Sequence, residues 1–339
     1  MNGLLMATAG TVGVAIFGMV IGLFFLGVDR KVAAHMQARI GPPIRQPFID
    51  LKKLLCKDSI VPENAIPGLF NAAPVIAVAS AITVLLYIPI GSLAPVLGGY
   101  GDLVLIMYLL TVPGLALVAG GFASGSPYAT IGSQREMVTM IAYEFPLAIA
   151  IIAIAWRLAQ AGIADPFSLA TIAGLGTGVT IWSIVGPLGL LGCLILLFVL
   201  TCVTPAELSR VPCDTPEAET ELCGGLLVEY SGRNLAMFML SGAVKTVAMM
   251  GLAVAIFLPW NPSWFIAMSP AVALVADTLF FILKMLLVLF VSVTLIRTAV
   301  ARFRINHVVT IYWGYIGVAG LVGLLLVMLD VMIGGGALI

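Results

Sequence analysis

The sequence predicts an all-α polytopic membrane protein. It should have about eight transmembrane helices, a short amphipathic interfacial helix, and both termini on the outer side. Three observations carry this. Of 339 residues, 61% are hydrophobic and 9% charged, with a mean hydropathy of +1.16, too little charge to cover a water-soluble surface. Apolar runs long enough for the hydrocarbon core, about 20 residues each, recur along the chain. The basic residues fall almost wholly into alternate connections.

The runs lie near residues 4–28, 66–90, 102–123, 137–159, 181–203, 236–259, 269–295 and 309–333. The first reads as a retained span: no basic residue precedes Leu4, and Arg30 and Lys31 follow Val28. Nothing repeats, so residues 1–339 form a single integral membrane domain. Connections 1–2, 3–4, 5–6 and 7–8 hold thirteen of the sixteen Lys and Arg: Arg30, Lys31, Arg39, Arg45, Lys52, Lys53, Lys57, Arg135, Arg210, Arg233, Arg297, Arg302 and Arg304. Connections 2–3, 4–5 and 6–7 hold only Arg157. The bias puts the basic connections on the cytoplasmic side. Trp156, Trp182, Trp260 and Trp264 fall at outer ends, as an aromatic belt requires.

The long inner loops, 29–65 and 204–235, combine length with charge and are the expected docking surface for soluble partners. Within the first, Phe48, Leu51 and Leu55 alternate at helical spacing with Asp50, Lys53 and Lys57, and Pro47 suits a first helical position. This is the interfacial helix.

Net charge is zero, which gives no reason to expect a nucleic-acid partner. Cys56, Cys193, Cys202, Cys213 and Cys223 show no C-x-x-C spacing, so no metal site is expected in this chain. Gly174, Gly176, Gly178 and the Gly120–Gly121 pair follow no strand and read as loop or packing glycines.

Ionisable groups within spans are costly and therefore functional candidates. Glu144 lies in span 4, just before Pro146, which leaves the Ala142 carbonyl without its helical donor. A loosened turn beside a carboxyl group suits a proton site; a carboxyl merely bonded between helices is the alternative. Lys245 and Lys284 fall in spans 6 and 7. Asp277 shares a face with Lys284, as a static ion pair or a relay. Asp330, near the outer end of span 8, reads as interfacial. The 5–6 loop is the densest constellation: Glu207, Arg210, Asp214, Glu217, Glu219, Glu221, Glu229 and Arg233, with Pro205, Pro212 and Pro216 breaking helices. Clustered carboxylates push one another's pKa values apart, which proton transfer near neutral pH requires.

That loop, from Ala206-Glu-Leu-Ser-Arg210 through Pro212-Cys-Asp214 to Glu217-Ala-Glu219-Thr-Glu221-Leu222 and then Glu229-Tyr230, resembles the subunit 1 family of respiratory complex I. Arg30 to Pro42, Arg135 to Pro146, and Ile296-Arg297 with Ala301 to Arg304 agree with it. The short first loop (Gly41-Pro-Pro-Ile-Arg45 running into Gln46-Pro-Phe-Ile-Asp50), the Gly125-Ser-Pro-Tyr128 stretch and Lys245 look more like the membrane subunit of energy-converting [NiFe] hydrogenases and formate hydrogenlyases.

The resemblance implies a membrane subunit that couples electron transfer, ferredoxin to protons, to H+ or Na+ export across the cytoplasmic membrane. The nickel–iron centre and 4Fe–4S clusters would reside in soluble hydrogenase large and small subunits on the cytoplasmic side. Antiporter-like membrane subunits would lie alongside. Arg39, Gln46, Asp50, Arg135, Glu136, Arg302 and Arg304 would serve docking. Glu144, Glu207, Arg210, Asp214, Glu217, Glu219, Glu221, Glu229, Lys245, Asp277 and Lys284 would serve ion translocation and coupling. The alternatives are a quinone-interacting complex I subunit and a stand-alone secondary transporter. The transporter would need inverted repeats with broken helices, which the sequence does not display.

Overall fold

The computed structural model describes residues 2–334 apart from 176, 177, 179 and 267, with the backbone alone for residues 2–7. Gly176 thus lies outside the described residues. Among the described residues, eight helices are long and apolar enough to cross a membrane: Thr8–Met36, Pro67–Leu86, Leu103–Ala123, Pro127–Gln160, Pro187–Glu207, Gly232–Trp264, Pro270–Ala299 and Ile305–Met332, here spans 1 to 8. Spans 2, 4, 5 and 7 begin on a proline, whose fixed φ and missing N–H suit a first helical turn. Span 3 begins after Asp102, whose Oδ1 accepts from Leu105 N at 2.9 Å.

Span 6 is the centre: Ala243 to Phe257 is buried almost throughout. Span 1 and the paired spans 2 and 3 pack around one side of it; spans 5 and 8 pack together and both against span 4. Small residues permit the closest approaches. A Cβ on Gly22 would lie 2.4 Å from the Ala243 carbonyl oxygen, and one on Gly192 would lie 2.8 Å from that of Gly323.

The interfacial helix, Gln46–Leu55, is where expected. Its Leu51 packs against Leu23, Leu26 and Ala243, and its Asp50 joins span 1 through Arg30 at 3.3 Å.

Several boundaries differ from the expectation. Span 4 starts at Pro127 rather than near 137, so Arg135 and Glu136 are helical. Hydropathy reads charge as an exit from the bilayer, whereas here the 5–6 loop covers these residues. Span 5 runs through Pro205 to Glu207, so Glu207 belongs to a span. The helix of span 4 continues across Pro146 without a break. Spans 7 and 8 instead carry π-helical segments, Phe290–Leu295 and Thr310–Ile316. They flank the 300–304 connection, and such segments mark places where a helix can re-register.

The outer end corrects three further expectations. Arg157 is buried rather than in a loop; it lies 3.8 Å from the equally buried Asp330 and donates to Ile184 O at 2.5 Å. Asp330 also accepts from Gly186 N at 2.8 Å, so it ties span 8 to the start of span 5 and is not interfacial. Asp277 and Lys284 do not pair with each other. Asp277 accepts from Ser263 N and Oγ at 3.1 and 2.7 Å. Lys284 donates to Leu258 O and Trp260 O at 2.7 and 2.8 Å, closing the C-terminal end of span 6.

Candidate functional site: a charged cavity beneath the 5–6 loop

The 5–6 loop is irregular backbone with three one-turn helices, Thr215–Glu217, Glu219–Leu222 and Gly225–Leu227. It is seated on span 4 by glycine: a Cβ on Gly132 would lie 2.8 Å from Leu226 N and 2.9 Å from Pro216 O. Polar anchors complete the seat. Arg302 grips Asp214 as a fork, Nε to Oδ1 at 2.8 Å and Nη2 to Oδ2 at 2.6 Å. Arg135 Nη1 donates to Glu221 Oε2 at 2.5 Å and to Thr215 O at 3.3 Å. Asp214 holds the Arg302 guanidinium's pKa above its ordinary value. Arg135 holds the Glu221 carboxyl below its own.

Under this loop lies a cavity of about 350 Å³. Arg30, Glu136, Glu207, Arg210, Glu217 and Lys245 line it together with apolar side chains such as Leu26, Leu117, Phe238 and Met239. Glu207 is 0% exposed, Glu136 2% and Lys245 7%. Bare ions are not sustained at such burial, and the first compensation is direct: Lys245 Nζ sits 2.8 Å from Glu207 Oε1. Glu136 accepts from Ser209 Oγ at 3.2 Å.

The half-buried Arg210 makes no ion pair among the described residues. Burial lowers its pKa, while Asp29 and then Glu217 act against that. Glu217 is shifted upward by burial; Arg210 opposes this, and Asp214 and Glu219 add to it. The loop end of the cavity therefore places a guanidinium poor in partners near a carboxyl group biased towards protonation.

Glu144 is half-buried on span 4, with Glu207 and Lys245 as its charged neighbours. Beside it Tyr143 is 0% exposed, and its hydroxyl has no hydrogen-bond partner among the described residues. Glu207, Glu136 and Glu144 are its charged surroundings. The chain thus brings together Glu136, Glu207, Arg210, Glu217 and Lys245, with Glu144 adjoining.

Other candidates lie apart. Asp214 and Glu221 are anchors of the loop, Glu219 is exposed, and Glu229 does not line the cavity. Asp277 lies near the start of span 7, and Lys284, midway along it, reaches Leu258 O and Trp260 O instead. Of the docking residues, Arg39, Arg302 and Arg304 are exposed, and Gln46 bonds Asp50 at 2.8 Å. Glu136 is withdrawn into the cavity and presents nothing to a partner. Sequence reasoning passed over Tyr143, Ser209 and Asp29. Asp29, 3% exposed, accepts from Thr294 Oγ1 at 2.8 Å and pairs with Arg297 at 2.7 Å. Only proximity in space marks them, Tyr143 and Ser209 to the acids and Asp29 to Arg210. Among the described residues, no three or more His, Cys, Asp or Glu are grouped so as to hold a metal ion.

Residues 9–328 match the family model described as NADH dehydrogenase. The chain is 33% identical over 317 residues to the H subunit of the NADH-quinone oxidoreductase of Anoxybacillus flavithermus, covering 89% of this chain and 87% of that protein. Similarity to the corresponding NADH-quinone oxidoreductase chain of Brevibacillus brevis is 31% over 312 residues, covering 88% and 86%. Among solved structures it is similar to a chain of the membrane-bound sulfane sulfur reductase, an archaeal respiratory membrane complex. The TM-score there is 0.81 and the identity 29%, covering 95% of this chain and 99% of that one.

Proposed function

The chain belongs to the NADH dehydrogenase family, as a subunit 1-type membrane component of a complex I-like respiratory complex, and from that premise we propose that it translocates ions for a redox-driven, energy-converting hydrogenase. The observation that carries the proposal is the set of buried and half-buried charges from Glu217 and Arg210 at the loop, through Glu136 and the Glu207–Lys245 pair, to Glu144 on span 4. A buried carboxylate–ammonium pair is poorly suited to adding stability but well suited to changing protonation when a nearby charge moves. In this reading soluble large and small hydrogenase subunits dock on 29–65 and 204–235 from the cytoplasmic side and carry the nickel–iron centre and 4Fe–4S clusters. Electron transfer, ferredoxin to protons, alters the charge felt at Arg210 and Glu217. The change passes through Glu207 and Lys245 to Glu144 and on to antiporter-like neighbours, which export H+ or Na+ across the cytoplasmic membrane. Asp277 and Lys284 would serve the outer end.

The short first loop and the likeness to the sulfane sulfur reductase chain support a module of the hydrogenase or sulfur-reductase kind. The names of the curated relatives favour a second reading, quinone reduction, and the apolar side chains among those lining the cavity are compatible with it. Purified complex should evolve hydrogen from reduced ferredoxin and reduce no quinone. Quinone reduction without hydrogen evolution would establish the second reading.

A further inference from the structure

Where span 1 leaves the bilayer, its last turns, the turn that follows and the end of span 7 enclose a cleft of about 320 Å³. Arg30, Arg39 and Arg297 line it together with Gln37, Gly41 and Pro42. Two of the arginines hold an acid by one nitrogen only: Arg297 Nη1 on Asp29 at 2.7 Å and Arg30 Nη1 on Asp50 at 3.3 Å. Arg39 bonds just the neutral Gln37. A guanidinium carries five N–H donors, so each keeps donors free. Between residues 29 and 57 the chain holds seven Lys or Arg (30, 31, 39, 45, 52, 53, 57) against Asp29 and Asp50.

Beside these charges stand large apolar side chains with little cover. Ile40 is 86% exposed, Met36 47% and Ile44 41% on the span 1 side, and Leu295 43% on span 7. Arginines that can fork a phosphate, next to bare aliphatic surface at the edge of the hydrocarbon, match the two ends of a phospholipid. We propose that this cleft binds an anionic phospholipid of the inner leaflet. Its phosphodiester lies on Arg30, Arg39 and Arg297, and its first acyl carbons lie along Ile44, which packs back beside Gly27, and Leu295. An acidic segment of a soluble partner would satisfy the arginines but would leave the aliphatic side chains in water. The inference rests on the proposed topology, with the basic connections inside, and gives Arg39 to the lipid instead of to docking, leaving the rest of 29–65 to the soluble subunits.

The test uses the intact complex, delipidated in detergent and supplied with phosphatidylglycerol, phosphatidylcholine of the same acyl chains, or inorganic phosphate; bound lipid is counted by native mass spectrometry. Phosphatidylglycerol should be retained several-fold over phosphatidylcholine, and inorganic phosphate should not displace it. Arg39→Gln should abolish the preference, and Arg39→Lys should recover part of it, since a point charge replaces a fork. Equal retention of the two lipids, or an undiminished preference in Arg39→Gln, overturns the proposal. Displacement by phosphate marks a site for free anions and overturns it as well. Loss of soluble subunits from Arg39→Gln with lipid unchanged assigns the cleft to a protein partner. Labelling of the exposed Cys56 by an impermeant thiol reagent separates the failures. Labelling from the outer side removes the topology and this inference together; labelling from the inner side with no lipid preference removes the inference alone.

Discussion

Lys245 brings its ammonium 2.8 Å from a glutamate that is 0% exposed, so deleting either partner strands a charge. Removing one member of a buried pair costs about 3–5 kcal/mol, whereas replacing both costs far less. Lys245→Met should therefore lower the unfolding temperature of the complex, and adding Glu207→Gln should restore most of the loss; simple additivity of the two would contradict a direct pair. Glu217 supplies a titration with a defined sign. Burial raises its pKa and Arg210 works against that, so Arg210→Met should raise it further, read from the carboxyl infrared band that Glu217→Gln deletes. A raised folded pKa means that the fold binds this proton more tightly than the unfolded chain does. Stability from this group is then present below the ordinary carboxylate range and is lost as pH rises through the raised value. The acids themselves were legible as residues, because charge is costly in an apolar chain. Their grouping was not: Glu136 read as a docking residue, and nothing in the sequence marks Tyr143 or Ser209 as neighbours of Glu207.

At the scale of elements, the eight spans and the interfacial helix were legible from hydropathy and helical periodicity, since both report on what faces lipid. The ends of spans 4 and 5 were not. Arg135, Glu136 and Glu207 are covered by the 5–6 loop, and a loop that folds back on helices leaves no local signature. The same blindness put Arg157 in a loop and Asp330 at the interface, although each is the other's buried neighbour. The π segments were also illegible, while Pro146, the expected weak point, sits in unbroken helix. The 5–6 loop depends on span 7's exit through the Arg302–Asp214 fork. Arg302→Met should speed amide hydrogen exchange over residues 214–222 while spans 4 and 6 keep their protection. Unchanged exchange there would show that glycine packing on span 4 suffices to seat the loop.

For the whole molecule, thirteen basic residues, eight in alternate connections and five in the adjoining turns of the spans, and a charged cavity beneath one connection set a polar side, assigned as inner, against a nearly uncharged one. Cys56 and Cys223 are both exposed on loops assigned to the inner side. In vesicles of the chain they should react with an impermeant reagent from that side alone. Both termini should then be reached from the other side. The charges run from the loop to Glu144, which is half-buried on span 4 with Glu207 and Lys245 near it, where an adjoining membrane subunit would take over the ion. Glu144→Gln keeps the shape and removes the titrating proton. The most direct measurement of coupling follows redox turnover and ion-gradient formation together in vesicles carrying this variant complex. The account predicts turnover with an artificial electron carrier near that of the unaltered complex, alongside a gradient that collapses. A gradient formed at the unaltered rate would contradict it and leave Glu144 a structural carboxyl between helices.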